Sequence, residues 1–386
     1  MLDPSTTSRA RAWVEVRLDR IRENAAAIRR SIGPGAGLVP MVKAEAYGLG
    51  MVPVAAALTG FPDAADPWAF GVAAVSEGEG LRAGGWGGRI LVFTPTPPSE
   101  YSRAVDAELT LCVSEVEAVS RLAAEAAKRR RVVPFHVEID TGMGRAGLAW
   151  QEASSWGPAI LERSSGLKWE GILTHFHSAD EADPEPTSEQ WARFGAALEV
   201  LPRIEPAPVL HVANSAAALR FKGFGCNLAR PGIYLYGGAA GAESRPAPVV
   251  SVRARLVLVR DVPIGATAGY GATYRATHPS KWGTLSIGYG DGIPRSLSPG
   301  GGEALVHGQR VPILGRVSMD MITVDLSDVP EARVGDVCTL IGEDGLESIA
   351  LDEVAQRCAT ISFEILTRLG TRLPRIYYEL EPDDAE

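Results

Sequence analysis

The sequence predicts a (β/α)8 TIM-type barrel over residues 12–240 followed by a mainly β domain over residues 241–386, on three observations. A chain of 386 residues is too long for one average domain of roughly 150 residues. Up to about residue 237, helical and strand-like hydrophobic patterns alternate, as parallel βα units require. After a small-residue, Gly/Ala/Pro-rich stretch at 237–248, suited to a linker, the period changes to that of β-structure.

In order along the chain, 18–33 (LDRIRENAAAIRRSIG) places Leu18, Ile21, Ala25 and Ile28 on one helical face, and Gly33 stops it. LVPMVK (38–43) reads as a short buried strand, as do RILVFTP (89–95) and ELTLCV (108–113). SEVEAVSRLAAEAAKRR (114–130) is an amphipathic helix, VPFHVEID (133–140) and WEGILTHF (169–176) are strands, and SEQWARFGAALEVL (188–201) is a helix. VLHVANS (209–215) and ARPGIYLYG (229–237) complete the series. Seven or eight such units favour a closed barrel over an open doubly wound sheet, although the alternation suits both. Beyond the linker, 249–262, 283–290, 303–326 and 336–342 alternate or run β-branched, a helix is expected over 351–370 with Gly370 as its stop, and 373–380 is a last strand.

Composition narrows the function classes. Hydrophobic residues at 46% and charged residues at 22% suit a chain with sizeable buried cores. A net charge of −9 gives no general support for binding the phosphate backbone of nucleic acid. Lys128, Arg129, Arg130 and Arg131 form a basic run at a helix end, where cations complement the helix dipole. The four cysteines are far apart, with no Cys-x-x-Cys pair, and read as thiols in a reducing compartment. The opening MLDPSTTSRARAW has no apolar core of a signal peptide and no stretch could span a bilayer, so a cytoplasmic protein without a membrane partner is expected.

Only five of the 38 basic residues are lysines, and Lys43 stands out because it ends an apolar run and precedes AEAYGLG. The C-terminal ends of barrel strands point to the mouth where catalytic groups collect, and a buried lysine becomes a usable amine nucleophile. A surface lysine at a strand end fits this segment equally well. His175, His177, Asp180 and Asp183 in HFHSADEAD (175–183) could be read as a metal cluster, but their spacing implies no ligand geometry, and no metal is expected.

VKAEAYGLG (42–50) resembles the cofactor-lysine motif of the alanine racemases, pyridoxal-phosphate enzymes with a barrel followed by a β-domain. DTGMGRAG (140–147), THF (174–176), HVANSAA (211–217), LARPGIYLYG (228–237), GYGATYRA (269–276), IGYGDGIPR (287–295), GRVSMDMITVDL (315–326) and RLPRIY (372–377) resemble further signatures of that family, in its order. The resemblance implies that Lys43 holds pyridoxal 5'-phosphate covalently and acts as one of two opposed acid/base groups, with Tyr270 as the other. It also implies that Arg230 faces the pyridine nitrogen and His175 packs against the ring. Tyr47, Ser215, Gly232, Ile233 and Thr371 would hold the phosphate. Arg145 would bind the substrate carboxylate, with Met319, beside Asp320, lent by the second subunit of a homodimer.

The chain departs from the family pattern at Glu138, where many members carry a carbamylated lysine. Its carboxylate is expected to orient Arg145 without modification. Glu45, Leu49 and Gly290 are further departures, and Thr371 stands where a tyrosine is common. The implied reaction is racemisation of alanine, supplying D-alanine for peptidoglycan. Alternatives are a broader-specificity amino-acid racemase, a decarboxylase of the same architecture, and a cofactor-homeostasis protein. A carboxylate facing the pyridine nitrogen would suit the decarboxylase better than Arg230, and homeostasis proteins lack the second domain.

Overall fold

The computed structural model describes residues 9–60, 66–224, 226–298 and 301–379. Eight parallel strands close a barrel: Gly37–Leu38, Ala69–Val72, Arg89–Val92, Thr110–Val113, Val133–Asp140, Leu167–Leu173, Val209–His211 and Leu228–Ala229. Single bridges from Met41 to Gly71 and from Ala213 to Ala229 complete the ring. The closed barrel is therefore the architecture, rather than an open sheet. Of these strands, Ala69–Val72 has no counterpart among the segments read from the sequence. It is four residues long and contains Gly71, where a Cβ would strike the Met41 sulfur at 2.4 Å. The strand expected over 38–43 is regular only at its start. Pro40 has no N–H to give, and Val39 and Met41 donate to the carbonyls of Ala229 (2.8 Å) and Pro231 (2.9 Å) before Lys43 opens a turn.

Helices cover the barrel. Leu18–Ile32 buries the four apolar residues expected of it, and Val116–Arg129 buries Ala118, Val119, Leu122 and Ala126. The second domain is built on a nine-stranded sheet. The segment Ala12–Arg17, grouped by sequence with the barrel, pairs antiparallel with Val250–Val262 and parallel with Arg375–Tyr378 in that sheet. The run 303–326 folds as three strands, Glu303–Val306, Gln309–Leu314 and Ile322–Asp325.

The single helix expected over 351–370 is two, Leu351–Arg357 and Ser362–Thr367. Ala359 adopts φ 53°, and the N–H groups of Ala359 and Thr360 donate to Gln356 and Ala355 (3.0 Å each), a Schellman-type stop that needs no glycine. β-Branched Thr360 and Ile361 then favour the extended link. Gly370 lies beyond the second helix, where its N–H donates to Asp291 O at 2.8 Å. The expected strand 373–380 is found as Arg375–Tyr378, and position 380 and the opening residues 1–8 lie outside the described residues.

Candidate active site

A cavity of ≈ 750 Å³ opens at the C-terminal ends of the barrel strands. Nine of the residues to which the resemblance gives a role line it, Lys43, Tyr47, Glu138, Arg145, His175, Ser215, Arg230, Gly232 and Ile233, and so do His177 and Asp180 of the 175–183 segment. Tyr270, Met319, Asp320 and Thr371 do not. The first two are 69% and 51% exposed, and Asp320 and Thr371 are also exposed. Thr371 lies past the second helix of the 351–370 region, and the residues of that region that line the cavity are Ile361 and Phe363, the Phe363 ring 5.8 Å from that of Tyr47. Phe363 offers no hydroxyl, so its contribution is apolar packing.

Lys43 leads into a turn in which Ala44, Glu45, Ala46 and Tyr47 have φ between 50° and 58°. The left-handed conformation costs roughly 1–2 kcal/mol for each non-glycine residue, and runs of it are seldom seen outside functional sites. Here Ala46 N–H donates to Val42 O (2.8 Å), Gly50 N–H to Glu45 O (2.8 Å) and Met51 N–H to the Glu45 carboxylate (3.1 Å). The turn swings the Tyr47 ring inward, tilted against that of Tyr236 with the centroids 4.8 Å apart. Burial lowers the proton affinity of the Lys43 amine, Arg145 and Arg230 lower it further, and Glu77 opposes them.

Arg230 is almost fully buried. One terminal nitrogen donates to His211 O and to His211 Nδ1 (3.1 Å), and the other to Thr174 O (2.9 Å), Val212 O (3.3 Å) and His175 Nδ1 (3.3 Å). Because a guanidinium only donates, the Nδ1 atoms of His175 and His211 accept. His211 then carries its proton on Nε2 and donates to His136 Nδ1 at 2.7 Å, leaving the His136 Nε2 proton toward Glu170, 3.8 Å away. Burial and neighbouring cations hold all three histidines neutral, with His175 pushed down to about 3. Arg230, pushed down by burial to about 10, remains cationic at neutral pH, and Glu138 is the first charge favouring it. Burial raises Glu138 itself, while Arg230 and Arg145 draw it back.

Sequence reading assigned no role to His136, His211 or Glu170. One signal was present: in a strand, residues two apart share a face, so the carboxylate of Glu138 and the imidazole of His136 both had to point into the barrel. Around Arg145, Asp140 Oδ1 accepts the N–H groups of Gly142 (2.9 Å) and Gly144 (3.1 Å) and shapes the turn. Residues 175–183 form a loop whose Ala179 and Glu181 carbonyls accept from Arg220.

The donor set fits pyridoxal phosphate. Gly232 N–H donates to Ser215 Oγ at 2.9 Å, and a Cβ at Gly232 would lie 2.3 Å from the Tyr47 hydroxyl, so glycine leaves open a cradle lined by hydroxyls and backbone amides, groups that hold phosphates. The same cavity presents a cationic guanidinium and an amine of lowered proton affinity. Two guanidiniums facing one cavity provide for two anionic groups, a phosphorylated cofactor and a carboxylate.

Comparison with known proteins agrees across the chain. Residues 16–240 match the family model "Alanine racemase, N-terminal domain" and residues 249–377 "Alanine racemase, C-terminal domain". The alanine racemase of Halothermothrix orenii is 38% identical over 370 residues, covering 95% of this chain and 96% of its own. Among solved structures, alanine racemase from the D-cycloserine producing Streptomyces lavendulae superimposes with a TM-score of 0.87 at 32% identity, covering 98% of this chain and 99% of its own. That from Bartonella henselae with covalently bound pyridoxal phosphate gives 0.85 at 30%, covering 96% and 100%. With a cavity that presents an amine, a phosphate cradle and two guanidiniums, and with likeness extending through both halves, the chain belongs to the alanine racemase family.

Proposed function

We propose that this chain is a pyridoxal-phosphate-dependent isomerase that interconverts L- and D-alanine, with Lys43 and Tyr270 as its two acid/base groups. The observation that carries the reading is the convergence of Lys43, Arg145, His175 and Arg230 on one cavity in a member of this family. When bound, the cofactor supplies an electron sink for the pair left by the broken Cα–H bond.

The chain's own residues do the rest. Lys43 holds the cofactor and, on one face of the substrate, takes or returns the Cα proton. Its lowered proton affinity leaves more of the amine free to act as a base. Tyr270 serves the opposite face, and each group contributes about 10²–10⁴-fold. Arg230 would donate a hydrogen bond to the ring nitrogen without giving up its proton, which would moderate the sink and suit racemisation over decarboxylation. His175, neutral, would pack against the ring. Tyr47, Ser215, Gly232 and Ile233 hold the phosphate, with Thr371 the weakest member of that set because it lies exposed outside the cavity. Arg145 grips the substrate carboxylate, and Glu138 steadies Arg145.

Tyr270, Met319 and Asp320 are exposed on the second domain, which supports a homodimer in which they complete the partner's site. Family membership supports a cytoplasmic enzyme whose D-alanine enters peptidoglycan. Among the described residues no helix is long and apolar enough to cross a membrane. The test is proton NMR of L-alanine, and separately D-alanine, with enzyme in D2O. The expected outcome is α-deuteration together with the opposite enantiomer, lost in Lys43→Ala. Carbon dioxide release, or bound cofactor with no exchange, would overturn the assignment.

A further inference from the structure

The turn that follows Lys43 is anchored from outside its own βα unit. Ala44, its first left-handed residue, donates its N–H to Glu77 Oε1 at 2.7 Å. The other oxygen of that carboxylate accepts the N–H groups of Ala73 (2.7 Å) and Ala74 (3.2 Å), just past the neighbouring barrel strand Ala69–Val72. Three backbone donors from two adjacent strand ends thus share one carboxylate, which sits in the first turn of the helix Val75–Ala83. Among the described residues, Glu77 is the side chain that accepts from Ala44.

We infer that Glu77 is a positioning residue for Lys43, its carboxylate tying the first amide of the left-handed turn to the end of the next barrel strand. The inference rests on the reading of Lys43 as the cofactor lysine. Two consequences follow from the chemistry. The anchor fixes the backbone from which the amine enters the cavity, and a displacement of about 1 Å at such a group costs on the order of 10²-fold in rate. The carboxylate also brings the negative charge that favours the Lys43 ammonium against burial, Arg145 and Arg230; neutral His175, Tyr47, Glu138, His177 and Asp180 are the other titratable groups that line the same cavity. Glutamine cannot substitute fully. Its single carbonyl oxygen serves one side of the bridge, while its NH2 confronts an N–H donor on the other.

The test uses the full chain with Glu77→Gln, Glu77→Asp and Glu77→Ala. Acetic anhydride labelling of Lys43 across pH, read by mass spectrometry before and after saturation with pyridoxal phosphate, reports the amine's titration midpoint. Hydrogen exchange reports the amides of Ala44 and Ala73, and alanine kinetics report kcat and KM. In Glu77→Gln and Glu77→Ala the Lys43 midpoint should move down, Ala44 exchange should rise about tenfold or more, and kcat should fall on the order of 10²-fold with KM little changed. Glu77→Asp should return the midpoint toward that of the parent. A folded Glu77→Gln chain with parental midpoint and Ala44 exchange would overturn the inference, and that variant decides if Glu77→Ala does not fold. Failure of the cofactor-lysine reading is distinct: pyridoxal phosphate would then not protect Lys43 in the parent chain.

Discussion

At the scale of single residues, the site works by unequal treatment of charge. Arg230 is buried yet keeps its charge, because five hydrogen-bond contacts and the facing Glu138 offset its lost hydration. The histidines around it cannot afford a second cation and are held neutral. Glu138 is the balancing group: its carboxylate is disfavoured by burial and favoured by both guanidiniums. Glu138→Gln keeps the shape and removes the charge, so Arg145 loses its nearby anion. We expect kcat/KM for alanine to fall roughly tenfold or more, since exposed Arg145 loses the anion that orients it and buried Arg230 loses the first charge that favours it. Most of it should appear as a raised KM, because in the proposed arrangement Arg145 would grip the carboxylate before and during reaction alike. Steady-state kinetics that match the parent would remove Glu138 from the site's machinery. That Glu138 points inward was legible from its place in VPFHVEID. The chain from Arg230 through His211 and His136 to Glu170 was not, because it joins side chains from four strands or strand ends whose register a single sequence does not specify.

At the scale of elements, the segments read well from sequence are those with a long hydrophobic period, such as Leu18–Ile32 and Val116–Arg129. What escaped was set by contacts distant in sequence. Ala69–Val72 is a strand because it fills the gap beside Met41 and Val42. The 351–370 helix breaks where Ala359 takes a left-handed cap. The turn at 44–47 could not be foreseen either, since alanine and tyrosine favour the right-handed helix and nothing in their identity announces the opposite hand. Its strain is testable at Ala44, which is exposed and so carries little packing energy. Ala44→Gly relieves the positive φ at the cost of a more flexible unfolded chain and should leave stability within about 1 kcal/mol of the parent. Ala44→Val places a β-branched side chain in the same conformation and should lose at least 1–2 kcal/mol more than the glycine variant, roughly. Urea unfolding of the two compares them directly, and a valine variant as stable as the glycine one would show that the turn is not strained.

At the scale of the whole molecule, the barrel and the second sheet are bound into one body by their own termini. Ala12–Arg17 precedes the barrel's first helix in sequence but lies between Val250–Val262 and Arg375–Tyr378 in the other sheet. The division at 240 read from sequence follows the linker, which composition reveals, and misses this strand, whose partners lie more than two hundred residues away. The same architecture separates the proposed bases. Lys43 lies inside the barrel mouth, whereas Tyr270 stands exposed on the second domain and Met319 with it. In a homodimer with shared sites, each cavity takes Lys43 from one subunit and Tyr270 from the other. A hybrid of Lys43→Ala and Tyr270→Phe subunits would then collect both defects in one cavity and leave the other intact. Random mixing makes half of the dimers hybrids, each with one working site of two, so activity should return to roughly a quarter of the parent level. Each variant alone should stay nearly inactive. Subunits are mixed in mild denaturant, restored to buffer with pyridoxal phosphate, and assayed for alanine racemisation. If instead each cavity drew both bases from a single chain, every site in the mixture would carry a defect and no activity would return.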